Sequence, residues 1–201
     1  MASTVFVWDM AGVGPKGNRG VGHTSIQVGK TYISWWPAKH ELMAGLSSRA
    51  KRHSMHEDKA EDGVSQFASG PIILNESKVL AWWGAVSDDQ ALVTHDERSL
   101  GYYRFLTNNC STTVFRALLV GSDRNTQIKI WTSYLEKSAS GKSLRTASSA
   151  IWNKSLGAGG SWSKVGETIL RSGAEFIATL ANSRIVITPA DVRAVVTDIW
   201  R

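Results

Sequence analysis

Short alternating runs near the start of the chain give way to longer apolar stripes towards its end. Residues 4–8 alternate and include β-branched side chains, which predicts a strand. Residues 23–28 (His-Thr-Ser-Ile-Gln-Val) and 31–36 (Thr-Tyr-Ile-Ser-Trp-Trp) predict two more. Gly29-Lys30 between them marks a hairpin turn, and Pro37 ends the second strand. Residues 71–74 read as a short strand or sheet edge, and 102–106 as another strand. After Asn108-Asn109-Cys110 the spacing becomes helical over residues 111–119. Val114, Phe115, Ala117 and Leu118 form the apolar side, and Asn108 or Asn109 serves as cap. A weaker helix is expected at 128–135. Residues 162–180 read as a helix broken by Gly166 and Gly173, and 184–187 as a strand. The last helix has the clearest signals. Thr188 caps it, Pro189 opens it and Asp191 completes a capping box, with Val192, Val195, Val196 and Ile199 on one face.

Residues 38–69 break the pattern. A short helix is expected near 38–44, and the rest is polar, charged and rich in Ser. His53 and His56 fall within it and are expected to face solvent. This stretch predicts an exposed, mobile excursion. Residues 122–201 form a basic, partly helical extension with a Gly-rich loop at 157–160. Neither a repeat nor a linker divides the chain, so one domain over residues 1–201 is expected.

Composition sharpens this picture. The chain has 201 residues, 42% of them hydrophobic, with nine Trp and one Cys. That is ordinary for a folded domain. A single cysteine excludes an internal disulfide framework and any Cys-rich zinc or iron–sulfur site. The net charge of +6 is uneven. Residues 1–100 carry 10 basic and 11 acidic side chains, and residues 101–201 carry 13 and 6. The basic second half permits contact with an anionic surface. No dense Lys/Arg block accompanies it, so nucleic acid is not the expected partner. The first residues lack a basic region followed by an apolar run, and no window predicts a membrane-spanning helix. Export without a classical signal would leave the same sequence.

The candidate chemistry centres on Cys110. A helix start leaves backbone N–H groups unpaired and favours an anion, which lowers a thiol pKa and provides donors for a developing oxyanion. The polar setting Thr107-Asn108-Asn109-Cys110-Ser111-Thr112-Thr113 is unlike that of a core cysteine. A thiol nucleophile needs a base, and His23, where a loop enters the sheet, is the best placed. Core or surface packing is the plain alternative for each. His40 and His95 have little supporting context. His53, His56, Glu57 and Asp58 mimic a metal cluster only weakly, and neither a metal nor a cofactor is expected. A third group would orient the imidazole. Ser25, Gln27, Thr31, Tyr32, Ser34 and Asp9 are all open to that role. Trp35-Trp36 and Trp82-Trp83, taken as strand pairs, would put one ring on each face, one in the core and one on a groove wall.

At Gly22-His-Thr-Ser-Ile-Gln-Val, Thr31-Tyr-Ile-Ser-Trp-Trp-Pro and Asn109-Cys-Ser-Thr-Thr-Val-Phe, the chain resembles circularly permuted papain-like thiol enzymes. That group includes lecithin:retinol-acyltransferase-like proteins, cell-wall amidase relatives and domains of bacterial effector toxins. The resemblance covers about residues 1–120. It implies an α+β fold, with a small antiparallel sheet packed on the helix that carries the cysteine and extra helices in the C-terminal half. It implies Cys110 as nucleophile, His23 as general base, and Tyr32 or Ser34 as orienter. The acidic residue and second His that often follow the Cys in acyltransferase relatives are absent here. The expected activity is therefore a cysteine hydrolase cleaving an amide bond in a peptide, a cell-wall peptide or a target-cell protein. Acyl transfer or phospholipid deacylation is the alternative within thiol chemistry, and a non-catalytic aromatic and basic binding module is the alternative outside it. A secreted effector would be made in the bacterial cytoplasm, delivered to a target cell and paired with a cognate immunity protein.

Overall fold

A computed structural model describes residues 2–9, 22–37, 47–87, 102–104, 109–142 and 186–200. It is an α+β fold with an antiparallel sheet and several helices. The sheet contains β1 (Ala2–Trp8), β2 (His23–Val28), β3 (Thr31–Pro37), β4 (Ser47–Arg52), β5 (Phe67–Ala68), β6 (Ile72–Ile73) and β7 (Tyr102–Arg104). Their order is β5-β1-β2-β3-β4-β7, with β6 also paired to β1. The helices are α1 (Met55–Asp62), α2 (Glu76–Ser87), α3 (Cys110–Gly121), α4 (Arg124–Lys137) and α5 (Pro189–Ile199).

The β2–β3 hairpin forms as the pattern predicts, with Ile26 opposite Ile33 and Ser25 opposite Ser34. Gly29 makes the turn with φ 55°, in the left-handed region that favours glycine. Successive side chains alternate between faces. Val5, Val7, Ile26, Val28, Ile33 and Trp35 therefore share one face and are buried in the hydrophobic core. On the other face the register aligns Trp8 with His23, Phe6 with Ser25, and Gln27 with Tyr32.

Helix α3 is the core's central element. Its residues are buried from Cys110 to Leu119, and again at Gly121. Asn109 caps it: Oδ1 accepts from the Thr112 N–H at 2.9 Å, and the Thr112 and Thr113 hydroxyls donate to its carbonyl at 2.8 and 3.0 Å. At its far end Gly121 allows close approach of α2. A Cβ there would lie 2.6 Å from Val79 Cγ2 and 2.9 Å from Leu74 Cβ. Phe115, Trp131 and Tyr134 form an edge-on aromatic cluster joining α3 to α4. Helix α5 has the capping box its sequence predicts: the Asp191 N–H donates to Thr188 Oγ1, and the Thr188 N–H to Asp191 Oδ2.

Four expectations change. The excursion at 38–69 is not one exposed loop: residues 47–69 contain β4, α1 and β5, and bury His53 and Asp58. Ser54 starts α1 with a capping box closed by Glu57, which explains why a strongly polar segment becomes helical. Trp82 and Trp83 lie on helix α2 instead of a strand, with Trp83 buried edge-on against Trp35 at 5.3 Å. Residues 186 and 187, the described end of the strand expected at 184–187, are not in a strand. The expected features at 38–44, 157–160 and 162–180, and His40 and His95, lie outside the described residues. No described helix is long and apolar enough to cross a membrane.

Candidate active site

His23 opens β2, and Cys110 is the first residue of α3. The Thr24 hydroxyl donates to Ser111 Oγ at 3.3 Å, tying the strand's start to the helix's start. Both functional groups are buried: His23 is 2% exposed and Cys110 5%. The Cys110 sulfur is within hydrogen-bonding reach of the His23 ring, the Thr24 backbone and the Ser111 hydroxyl. The last contact measures 3.9 Å. Tyr103, buried on β7, brings its own hydroxyl to the same sulfur.

The far side of the His23 ring meets two groups. Its Nε2 lies 3.0 Å from Ser34 Oγ and 3.1 Å from Asp58 Oδ2. With Nε2 so engaged, Nδ1 is the ring nitrogen left to serve the thiol. Asp58 is fully buried and accepts on both oxygens. Oδ2 receives the Tyr32 hydroxyl at 2.6 Å as well as His23. Oδ1 receives the Trp36 indole N–H at 2.7 Å and His53 Nδ1 at 3.2 Å. Four donors converge on one carboxylate, the arrangement a buried charge requires.

The electrostatics follow from this geometry. Burial alone would lower the His23 pKa, but the neighbouring Cys110 charge, the hydrogen bonds to Asp58 and Cys110 and the Asp58 charge push it up to about 10. Burial alone would raise Asp58; its bonds from His23 and His53, the His23 charge and the Tyr32 bond hold it well below the usual carboxylate range. Burial opposes ionisation of Cys110 too, yet the His23 charge and the donors around the sulfur bring the thiol below its ordinary value. Burial pushes the Tyr103 phenol up, and the Cys110 charge adds to that, so Tyr103 is a hydrogen-bond donor across the accessible pH range. The whole arrangement favours thiolate, imidazolium and carboxylate in a row.

Aromatic rings enclose the row. Trp8 lies 5.3 Å from the His23 ring and Trp36 lies 4.5 Å from it. Trp36 also stacks on His53 at 4.8 Å with a 20° interplanar angle. Aromatic faces favour a cation between them and exclude water. The tandem Trp35-Trp36 thus does divide between faces, Trp35 to the apolar core and Trp36 to this site.

Of the residues singled out in sequence, Cys110, His23 and Ser34 come together here. Tyr32 is adjacent, but its hydroxyl serves Asp58 and Ser25 Oγ, the latter at 2.6 Å. The carboxylate at His23 is Asp58; Asp9 instead pairs with Arg193 at 2.8 Å. His53 is buried beside Asp58, contrary to the solvent-facing expectation. In the sequence Asp58 stands out only as part of a weak metal-like cluster, because it lies in a polar stretch that predicts an excursion. The Ser54–Glu57 capping box is the available signal, since it predicts a helix whose next residue is Asp58. Among the described residues, no three His, Cys, Asp or Glu side chains are placed to hold a metal ion. No family model matches this chain, and no curated protein or solved structure does so.

Proposed function

We propose that this protein is a cysteine hydrolase of permuted papain-like architecture, acting on an amide bond. The observation that carries the reading is the buried row Cys110–His23–Asp58, in which the imidazole is raised to about 10 and the thiol lowered. In the proposed reaction the Cys110 thiolate attacks the amide carbonyl carbon, and the carbonyl electrons move to oxygen. The Cys110 N–H, which has no carbonyl four residues back within its helix, is a donor for that oxyanion. His23 gives its proton to the leaving nitrogen as the C–N bond breaks, leaving a thioester on Cys110. Neutral His23 then takes a proton from water, which attacks the thioester and releases the acid and the thiolate. Asp58 holds the ring and balances its charge.

The resemblance to effector domains supports a bacterial toxin delivered without a classical signal, with a cell-wall peptide or target-cell protein as substrate and an immunity protein as partner. The test begins with the thiol. Alkylation of Cys110 by iodoacetamide near neutral pH should exceed that of a free cysteine, and His23→Ala should slow it by about tenfold or more. A rate equal to a free thiol and indifferent to His23→Ala would sink the reading in favour of a binding module. Mass spectrometry of peptidoglycan fragments and of proteins exposed to the enzyme separates hydrolysis from acyl transfer, with Cys110→Ala as the blank.

A further inference from the structure

The thiol mechanism uses one histidine at Asp58, but the carboxylate has two. His23 Nε2 is on Oδ2 at 3.1 Å, and His53 Nδ1 is on Oδ1 at 3.2 Å. Because the carboxylate only accepts, His53 carries its proton on Nδ1. Its Nε2 is buried and has no hydrogen-bond partner among the described residues. Leaving such an atom unpaired costs stability, so packing alone gives no reason for a histidine here. An apolar side chain of similar volume would stack on Trp36 without that cost. What the imidazole adds is its N–H on Asp58.

We propose that His53 is a positioning residue that shares Asp58 with His23 and so limits how strongly the carboxylate binds the His23 proton. This rests on the thiol reading above. Each donor on a carboxylate withdraws negative charge from the others. His23 must hold a proton to support the thiolate, yet must release it to the leaving nitrogen. With one donor fewer, and only Tyr32 and Trp36 besides His23 among the described residues, the carboxylate would hold that proton more tightly. Trp36 couples the two imidazoles: its ring lies against both, and its N–H shares Oδ1 with His53. Among the described residues, the titratable groups on this carboxylate are His23 on β2, Tyr32 on β3 and His53, and Cys110 on α3 interacts with the His23 ring. Beyond them Glu57 on α1 interacts with both His53 and Lys51 of β4. Arg52 lies over the Trp83 ring.

The test is the pH at which the His23 ring loses its proton, read by nitrogen NMR of the full chain. His53→Leu, which keeps bulk and loses the donor, leaves more negative charge on Asp58 and should move that pH up by about half a unit or more. His53→Asn, whose amide N–H falls where Nδ1–H sits, should restore the wild-type value. A His23 titration unchanged or moved down in His53→Leu overturns the proposal. If His53→Leu does not fold, His53→Gln, whose amide sits too far out for Oδ1, takes its place against His53→Asn. Nitrogen NMR of the wild-type protein adds a check needing no variant: a His53 ring with no proton on Nδ1 would also overturn it. A wild-type thiol that is slow and His23-independent sinks the hydrolase reading instead, so the two failures are distinguishable.

Discussion

The strands β1, β2 and β3 carry two buried regions of opposite kind on their two faces. On one face Val5, Val7, Ile26, Ile33 and Trp35 pack with α2, α3 and α5. On the other, His23, Tyr32 and Trp36 meet α1 through Asp58. The first region is held by non-directional burial, worth about 25 cal/mol for each Å² of apolar surface. The second is held by directed bonds to one carboxylate, and gains nothing from burial unless every bond is made. The apolar face tolerates a change of shape but suffers from a cavity. The polar face tolerates little, because losing its acceptor leaves several donors unpaired at once.

Asp58→Ala should therefore be the most damaging change. It strands His23, His53, Tyr32 and Trp36 without their acceptor, and a cost of about 3–5 kcal/mol is expected in urea unfolding, with alkylation of Cys110 slowed as well. A cost below about 1 kcal/mol would mean that the carboxylate does not organise the site. On the opposite face, Ile26→Ala should cost about 2–4 kcal/mol through the cavity it leaves. Its thiol reactivity at neutral pH should stay at the wild-type rate, because Ile26 touches the core only. If Ile26→Ala slowed alkylation as Asp58→Ala does, the two faces would be one coupled unit.

The pH dependence of stability separates them again, since the apolar side chains of the core face do not titrate and His23 and Cys110 do. His23 is raised, so its contribution is complete below its unfolded value of 6.5 and is lost as pH rises through about 10. Cys110 is lowered from 9.0, so its contribution is complete above that value and is lost as pH falls through its folded value. Between 6.5 and 9.0, once the folded thiol has ionised, the two slopes cancel, because folded and unfolded chains each bind one proton. Stability should thus be level there and fall by about 1.4 kcal/mol per pH unit between about 9 and 10. Denaturant midpoints measured against pH check this. Cys110→Ala should remove the plateau, and an unchanged curve in that variant would show that the thiol is not paired with His23.

What was legible in the sequence follows the same division. The apolar face was legible because period-2 and helical spacing report burial directly, at Ile26 and Ile33 and along Val114, Phe115 and Leu118. Cys110 and His23 were legible because each stands at the start of an element. Asp58 was not, because its burial depends on His23, Tyr32, Trp36 and His53, which converge only once β2, β3 and β4 lie side by side. A charged residue in a segment of Lys, Glu and Asp has no local mark of being buried. The helix beneath it could be inferred from Ser54 and Glu57, but not its burial against β3.

The smallest expected effect decides which group orients the imidazole. The resemblance implies Tyr32 or Ser34 for that role, and the structure puts Ser34 and Asp58 on the same ring nitrogen, at 3.0 and 3.1 Å, with the Tyr32 hydroxyl on Asp58. A serine hydroxyl is neutral, and its loss removes one bond of about 1 kcal/mol. Asp58 brings a full charge and three further donors into register with the ring. Ser34→Ala should therefore cost about 1 kcal/mol and change Cys110 alkylation by less than about threefold, while Asp58→Asn slows it by about tenfold or more. The Asn variant keeps the size of the side chain, so the difference isolates charge. If Ser34→Ala proved the slower of the two, the hydroxyl would be the orienting group, and Asp58 would serve only to satisfy the donors buried around it.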